Sequence, residues 1–312
     1  MHTLQAPVRI LFSVAALILL TEGFGNGQTK TIAERLGYPR DAKLLIIHAD
    51  DLALARSVDA ASFAALERKA ASSASVMVPC PWFTEVAAYA REHPDHDLGL
   101  HLTLTSEWNT YRWGPVASQD QVPGLLDPAG YLWPDVPGVA KNAKPEEVER
   151  EIRAQVELAI RSGLKPTHLD THMGTLFAKP GFFAAYLKVA HEFGIPAFVP
   201  RVAGASPQLL AMVRETDIVL DGFAMAGPQV KPEGWMEYYG GVVRTLKPGV
   251  TELIVHLAYD DAESQAVMVD HPAYGAAWRQ RDFDVITSPE FKKLLEENHV
   301  ILIGWKDLMK LL

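Results

Sequence analysis

The feature that most constrains this chain is an alternation of short apolar runs of strand length with longer amphipathic stretches. The runs fall at 43–48, 75–78, 98–104, 167–169, 197–199, 218–220, 252–256 and 300–303. A strand buried on both faces is apolar throughout, whereas a helix covering it needs only one apolar stripe, so this alternation predicts βα units. Two helix starts are explicit. Pro145 occupies a first helical position with Glu146 and Glu147 in the first turn, and Val148, Ile152, Val156 and Ile160 recur every fourth position along one face. Ser288, followed by Pro289 and Glu290, repeats the signal ahead of Phe291, Leu294 and Leu295.

Seven or eight such repeats, with no Pro/Gly/Ser-rich linker between them, predict one irregular (β/α) barrel spanning 28–312. A doubly wound open sheet is the competing architecture. The single long interruption, 108–137, is rich in Pro, Gly, Trp and Tyr and is expected to lie as an extended loop over one face.

Ahead of the repeats, an apolar run at 10–20 follows Arg9 and precedes Glu22, Gly23, Gly25 and Gly27, which reads as a signal peptide over 1–27 and predicts a periplasmic or secreted protein. The run is about half of the roughly 20 residues a bilayer span needs, so no stable membrane span is expected after cleavage. An uncleaved anchor is the alternative. With 29 Lys+Arg against 38 Asp+Glu the net charge is −9, and without a basic stripe nucleic-acid binding is not expected. Cys80 is the only cysteine, so neither an internal disulfide nor a thiolate cluster can form. Any metal must be held by nitrogen and oxygen.

The polar residues that break the apolar runs share a position, within or just past the C-terminal part of a run, which in a (β/α) barrel is the catalytic rim. They are Asp50 and Asp51, His101, Asp170 and His172, and His256. Adjacent carboxylates on a strand point to different sides, so one of Asp50 and Asp51 could bind a metal while the other handles a proton. A carboxylate with two imidazoles from other strands makes a ligand set that leaves positions open for water and substrate. Singly, each residue has a plainer reading: a helix cap, a hydrogen-bonded core histidine, a solvated neighbour. His48 faces toward or away from Asp50 depending on strand register, and carries no assignment.

The strings Leu44-Leu-Ile-Ile-His-Ala-Asp-Asp51, Leu98-Gly-Leu-His-Leu-Thr-Leu-Thr105, Thr167-His-Leu-Asp-Thr-His172 and Glu252-Leu-Ile-Val-His256 resemble, in order, the motifs of the YdjC-like carbohydrate deacetylases, which remove acetyl groups from N-acetylated sugars such as chitooligosaccharides. The resemblance runs from about residue 43 to a closing segment around Arg281 and 288–295. It implies a barrel of about seven strands related to the polysaccharide deacetylases, with one divalent cation, zinc or magnesium in the first place, held by Asp51, His101 and His172. It implies Asp50 as base and His256 as acid. The chain departs from the family pattern at His48, where Asn is usual, at Gly174 and Leu176, where further histidines follow, and at Leu257-Ala258, where Pro-Gly is usual. These departures leave the ligand set intact and bear on substrate choice.

On this reading the substrate is an N-acetylated sugar or oligosaccharide. Arg201 and Asp170 are candidates to contact it, and Trp108 and Trp113 to stack on a sugar face. The segment from His271 to Tyr274 is expected near the mouth. A homodimer stays open. The other function classes are an exported carbohydrate-binding protein without turnover, and a metal-dependent amidase or phosphoesterase acting on a non-sugar substrate.

Overall fold

Strand β1 (Lys43–Leu52) is buried along its whole length after the first residue and lies at the centre of an all-parallel sheet. The computed structural model describes residues 30–201 and 207–312, so the predicted leader lies outside the described residues. Thr31–Leu312 forms one compact unit, and among the described residues no helix is long and apolar enough to cross a membrane. The other strands are β2 (Ser73–Val76), β3 (Leu98–Leu102), β4 (Leu169–Thr171), β5 (Gly222–Met225), β6 (Gly249–His256) and β7 (Val300–Leu302). The hydrogen-bonded order is β4-β3-β2-β1-β6-β5, with β7 against the beginning of β1. Between β4 and β5 the ring is completed by single bridges, Leu169 to Ala197 and Pro200 to Leu220. The fold is an irregular (β/α) barrel.

Alternation along β1 sorts the core. Leu45, Ile47 and Ala49 face the helices in the larger apolar cluster, while Leu44 and Ile46 point inward with Phe198, Leu220, Val250, Ile254 and Trp305. Above that apolar plug the interior turns polar. His48, His168 and Glu252 are at most 1% exposed, and Gly99 makes room for the His168 ring, since a Cβ there would lie 2.3 Å from it.

Two expected strands, 197–199 and 218–220, contribute only the bridges above. The ladder partner of β6 is instead β5, four residues after Ile218, where Gly222–Met225 pairs with 251–254. The helix Pro145–Arg161 forms as expected, but Ile160 is 43% exposed and Ala159 takes its place in the core. A strict four-residue repeat drifts by about 40° per step on a 3.6-residue helix, so the fourth member has left the buried face. The same helix ties down the long interruption. Glu151 accepts the Val116 and Ala117 N–H groups at 2.9 and 2.8 Å, and Glu147 accepts that of Gly124 at 2.9 Å.

Candidate metal centre

The two adjacent aspartates do not point apart as strand alternation predicts. Ala49 pairs with Ala74 and Leu52 with Val76, so Asp50 and Asp51 together oppose the single residue Ser75. This is a β-bulge, and Asp51 takes a left-handed φ of 69° within it. Asparagine and aspartate tolerate that conformation better than most residues. The bulge turns both carboxylates to the barrel mouth.

Strand register supplies the rest. His101 on β3 is the direct partner of Asp170 on β4, and Asp50 on β1 is the direct partner of His256 on β6. His172 follows β4 at the start of a tight turn in which Met173 and Gly174 are both left-handed. Asp51, His101 and His172 are all buried, with one potential ligand atom from each within 4.8 Å of the others. Asp51 Oδ1 lies 3.3 Å from His101 Nε2 and 3.3 Å from His172 Nδ1, yet has no hydrogen-bond partner.

The imidazole tautomers are set from behind. His101 Nδ1 is 2.6 Å from Asp170 Oδ1 and His172 Nε2 is 3.1 Å from Glu107, so each ring donates outward and turns its other nitrogen to Asp51. The second oxygen of Asp51 is taken by Arg279, whose Nη2 lies 2.6 Å from Oδ2. Burial alone would raise Asp51, but the Arg279 guanidinium and the two imidazoles hold it well below the usual carboxylate range. Burial pulls His172 down, and the charges of Glu107 and Asp51 outweigh it and hold the ring up to about 9. A buried carboxylate oxygen that makes no hydrogen bond and faces two imidazoles fits a divalent cation, and a cation entering there would displace protons.

Asp50 Oδ2 lies 3.7 Å from His101 Nε2 and 3.8 Å from His256 Nε2, so the expected base and acid flank the set. Burial lowers His256 to about 4. Its backbone N–H donates to Asp282 Oδ2 at 2.9 Å, and Asp282 Oδ1 accepts from Trp235 and Tyr239.

Two expected substrate contacts, Asp170 and Trp113, are engaged inside the protein instead. Asp170 is buried behind His101, accepting from that ring through Oδ1 at 2.6 Å and lying 3.0 Å from His48 through Oδ2. Trp113 is 4% exposed and donates from Nε1 to the Thr105 carbonyl at 2.9 Å, so it packs the loop rather than presenting a platform. Trp108 is also buried, but it lies close to the site, its ring 5.9 Å from the Arg279 guanidinium and 4.7 Å from His271. Arg201 is exposed at the edge of the described residues, its backbone N–H donating to the Leu220 carbonyl at 2.8 Å. Tyr274 reaches the mouth as its segment predicts, 5.0 Å from the His256 ring.

Arg279 and Glu107 were not among the expected site residues. Glu107 had a signal, being an acidic residue just past the strand that carries His101. Arg279 had only its place in an otherwise mixed helix, Ala276–Ile286, and nothing local marks it as buried.

A parallel barrel with a buried carboxylate and two imidazoles at its C-terminal rim defines the class: an α/β-barrel protein with a candidate cation site where such folds carry catalysis. The family model for YdjC-like proteins matches residues 44–297, and the chain belongs to that family. It is 31% identical over 279 residues to a carbohydrate deacetylase of Thermus thermophilus, spanning 86% of this chain and 95% of that protein. It is 25% identical over 272 residues to a chitooligosaccharide deacetylase of Serratia marcescens, spanning 85% and 99%. A crystal structure from Enterococcus faecalis V583, described as a cellobiose-phosphate cleavage protein, superposes with a TM-score of 0.72 at 25% identity, covering 86% of this chain and 99% of that one.

Proposed function

We propose that the chain is a metal-dependent deacetylase of N-acetylated sugars or oligosaccharides, with Asp51, His101 and His172 as ligands of one divalent cation, Asp50 as base and His256 as acid. The observation that carries this is the orphaned Asp51 Oδ1 between two imidazoles, with Asp50 and His256 alongside. The names of the relatives, carbohydrate and chitooligosaccharide deacetylases, support the substrate class. A cation bound there supplies Lewis-acid polarisation of a carbonyl and makes water more acidic.

Asp50 removes the proton from the attacking water, its Oδ2 lying within 3.8 Å of both His101 Nε2 and His256 Nε2. Burial lowers the His256 ring to about 4, so it enters the cycle neutral. Its acid role therefore requires that it take up the proton Asp50 removes, across 3.8 Å, before passing it to the departing amine. Arg279 holds Asp51 in place and Glu107 holds His172. The products are acetate and a free amino sugar.

The test is acetate release from a panel of N-acetylated sugars by chelator-stripped protein, with Zn²⁺, Mg²⁺, Mn²⁺ and Co²⁺ added back singly. Release restored by one of them supports the proposal. Binding of the sugars without release under every metal would sink it in favour of a carbohydrate-binding protein. Export is part of the proposal too, and mass spectrometry of the native mature protein should give a new N-terminus between about Gly25 and Thr29; an intact Met1 would reject it.

A further inference from the structure

Two fully buried histidines in the barrel, His48 and His168, take no part in the ligand set, and His48 is the one that touches the base. His48 is 0% exposed. Its Nδ1 lies 3.1 Å from Ser73 Oγ, and its Nε2 lies 3.0 Å from Ser75 Oγ, 3.1 Å from Asp50 Oδ1 and 3.0 Å from Asp170 Oδ2. Asp50 Oδ1 is buried and finds no hydrogen-bond donor, so its close charge contact is this ring.

Hydrogens can be assigned by elimination. Asp97 Oδ2 accepts the Lys306 N–H at 2.7 Å, and Asp97 Oδ1 accepts from Ser73 Oγ at 3.1 Å and from Thr167 Oγ1. A carboxylate can only accept, so the single hydroxyl hydrogen of Ser73 is spent on Asp97 and His48 Nδ1 must be the donor to Ser73. At the other end of the ring, a bare Nε2 lone pair would face two carboxylate oxygens at about hydrogen-bond distance, which is repulsive. A bare Nε2 could accept only the Ser75 hydroxyl and would leave both carboxylate repulsions in place, so the two carboxylates favour a hydrogen on Nε2. The neighbouring His168 comes out differently: Thr167 donates to Asp97 and so accepts from His168 Nδ1 at 3.0 Å, while His168 Nε2 makes no hydrogen bond and has one carboxylate oxygen, that of Asp170, at the longer distance of 3.6 Å. The two rings lie 4.9 Å apart centroid to centroid.

We propose that His48 is a buried imidazolium and a positioning residue, set between Asp50 and Asp170 so that it holds the base directly and the ligand His101 through Asp170. Burial opposes the charge, but the acidic groups around the ring, Glu252, Asp170 and Asp50, outweigh it and raise the ring well above the usual histidine value. Glu252, on β6, is itself pushed up to about 8 by burial and is largely protonated at neutral pH, so the largest of these attractions is weakened there and the imidazolium rests on the two contacting carboxylates, Asp50 and Asp170. His168 and the two serines are the other polar groups against the ring.

The kinetic arm of the test rests on the deacetylase reading; the spectroscopic arm does not. Full-length chain with ¹⁵N-labelled histidine is recorded at pH 7, with and without Zn²⁺, and the His48 signals are assigned as those missing from His48→Gln or His48→Asn, whichever folds. Two protonated ring nitrogens are expected in both states. One unprotonated nitrogen would overturn the proposal. In the kinetic arm His48→Gln, at matched thermal midpoint and metal content, should lose roughly tenfold or more in kcat with KM within about twofold, and an unchanged kcat would refute the positioning role. No acetate from the wild type, together with two protonated nitrogens, would reject the deacetylase reading while supporting the imidazolium.

Discussion

Arg279 Nη2 stands 2.6 Å from Asp51 Oδ2, and the two side chains are 1% and 2% exposed. A buried ion pair of this kind contributes little against a well-packed apolar pair, but removing one partner strands a charge. Arg279 also donates from Nε to the Tyr274 carbonyl at 2.6 Å, so it fixes the mouth loop and the ligand together. Arg279→Met should cost about 3–5 kcal/mol of stability in the metal-free chain. It should also weaken cation binding by roughly 10–100-fold. Denaturant unfolding and metal titration check both, and an unchanged unfolding midpoint would show that Asp51 has no need of the guanidinium.

Glu252 predicts an unusual pH dependence. Burial raises it from 4.5 to about 8, and its Oε2 accepts from Trp305 Nε1 at 2.7 Å. A carboxyl whose folded pKa is raised holds its proton while the unfolded chain gives it up, so its contribution to stability falls as pH rises from 4.5 towards about 8. Glu252→Gln keeps an acceptor for Trp305 and removes the titration. The variant should match the wild type near pH 4.5 and exceed it by a few kcal/mol, to order of magnitude, near pH 8. Equal stability at both pH values would show that Glu252 ionises in the folded barrel without cost.

The barrel was legible because β1, β3 and β6 are apolar runs ending in polar residues, a pattern set by burial on both faces and a shared rim. Asp51, His101, His172, Asp50 and His256 were legible for the same reason, and the structure brings all five together. What was not legible depends on events no local pattern encodes. The Asp50–Asp51 bulge is a mismatch between two strands, visible only when β1 is laid against β2. Arg279 meets Asp51 across 228 positions of chain. Trp113 reads as a loop aromatic until Thr105 and the packed loop bury it.

The helix Pro145–Arg161 gives a direct check of the corrected register. Ile160 is 43% exposed while Ala159 is 0% exposed. Ile160→Lys should change stability by no more than about 0.5 kcal/mol, as exposed substitutions usually do. Ala159→Lys must force a charge and four methylenes into the sheet-facing core and should destabilise by well over about 3 kcal/mol or abolish soluble expression. Equal tolerance at the two positions, measured by thermal unfolding, would mean that the helix is rotated from the face described.

The division of labour at the mouth separates adjacent residues on one bulge. Asp51 offers Oδ1 to two imidazoles while Asp50 faces His256, so replacing each by Asn should have different consequences. Asp51→Asn should abolish tight cation binding, because the amide loses the charge that two imidazoles and Arg279 are arranged around. Asp50→Asn should keep the cation and lower kcat by about 10²–10⁴, the usual range for a lost proton-transfer group, while its midpoint falls because the buried His48 ring loses one of its two carboxylate neighbours. His256→Gln should match it in bound cation and kcat with the midpoint kept, since its backbone N–H, which Asp282 holds, is untouched. If His256 were only a packed core residue, its replacement would lower the thermal midpoint and leave turnover per folded molecule near normal. Bound metal, midpoint and kcat measured on the same three variants distinguish these outcomes, and a destabilised but fully active His256→Gln would remove the acid from the mechanism.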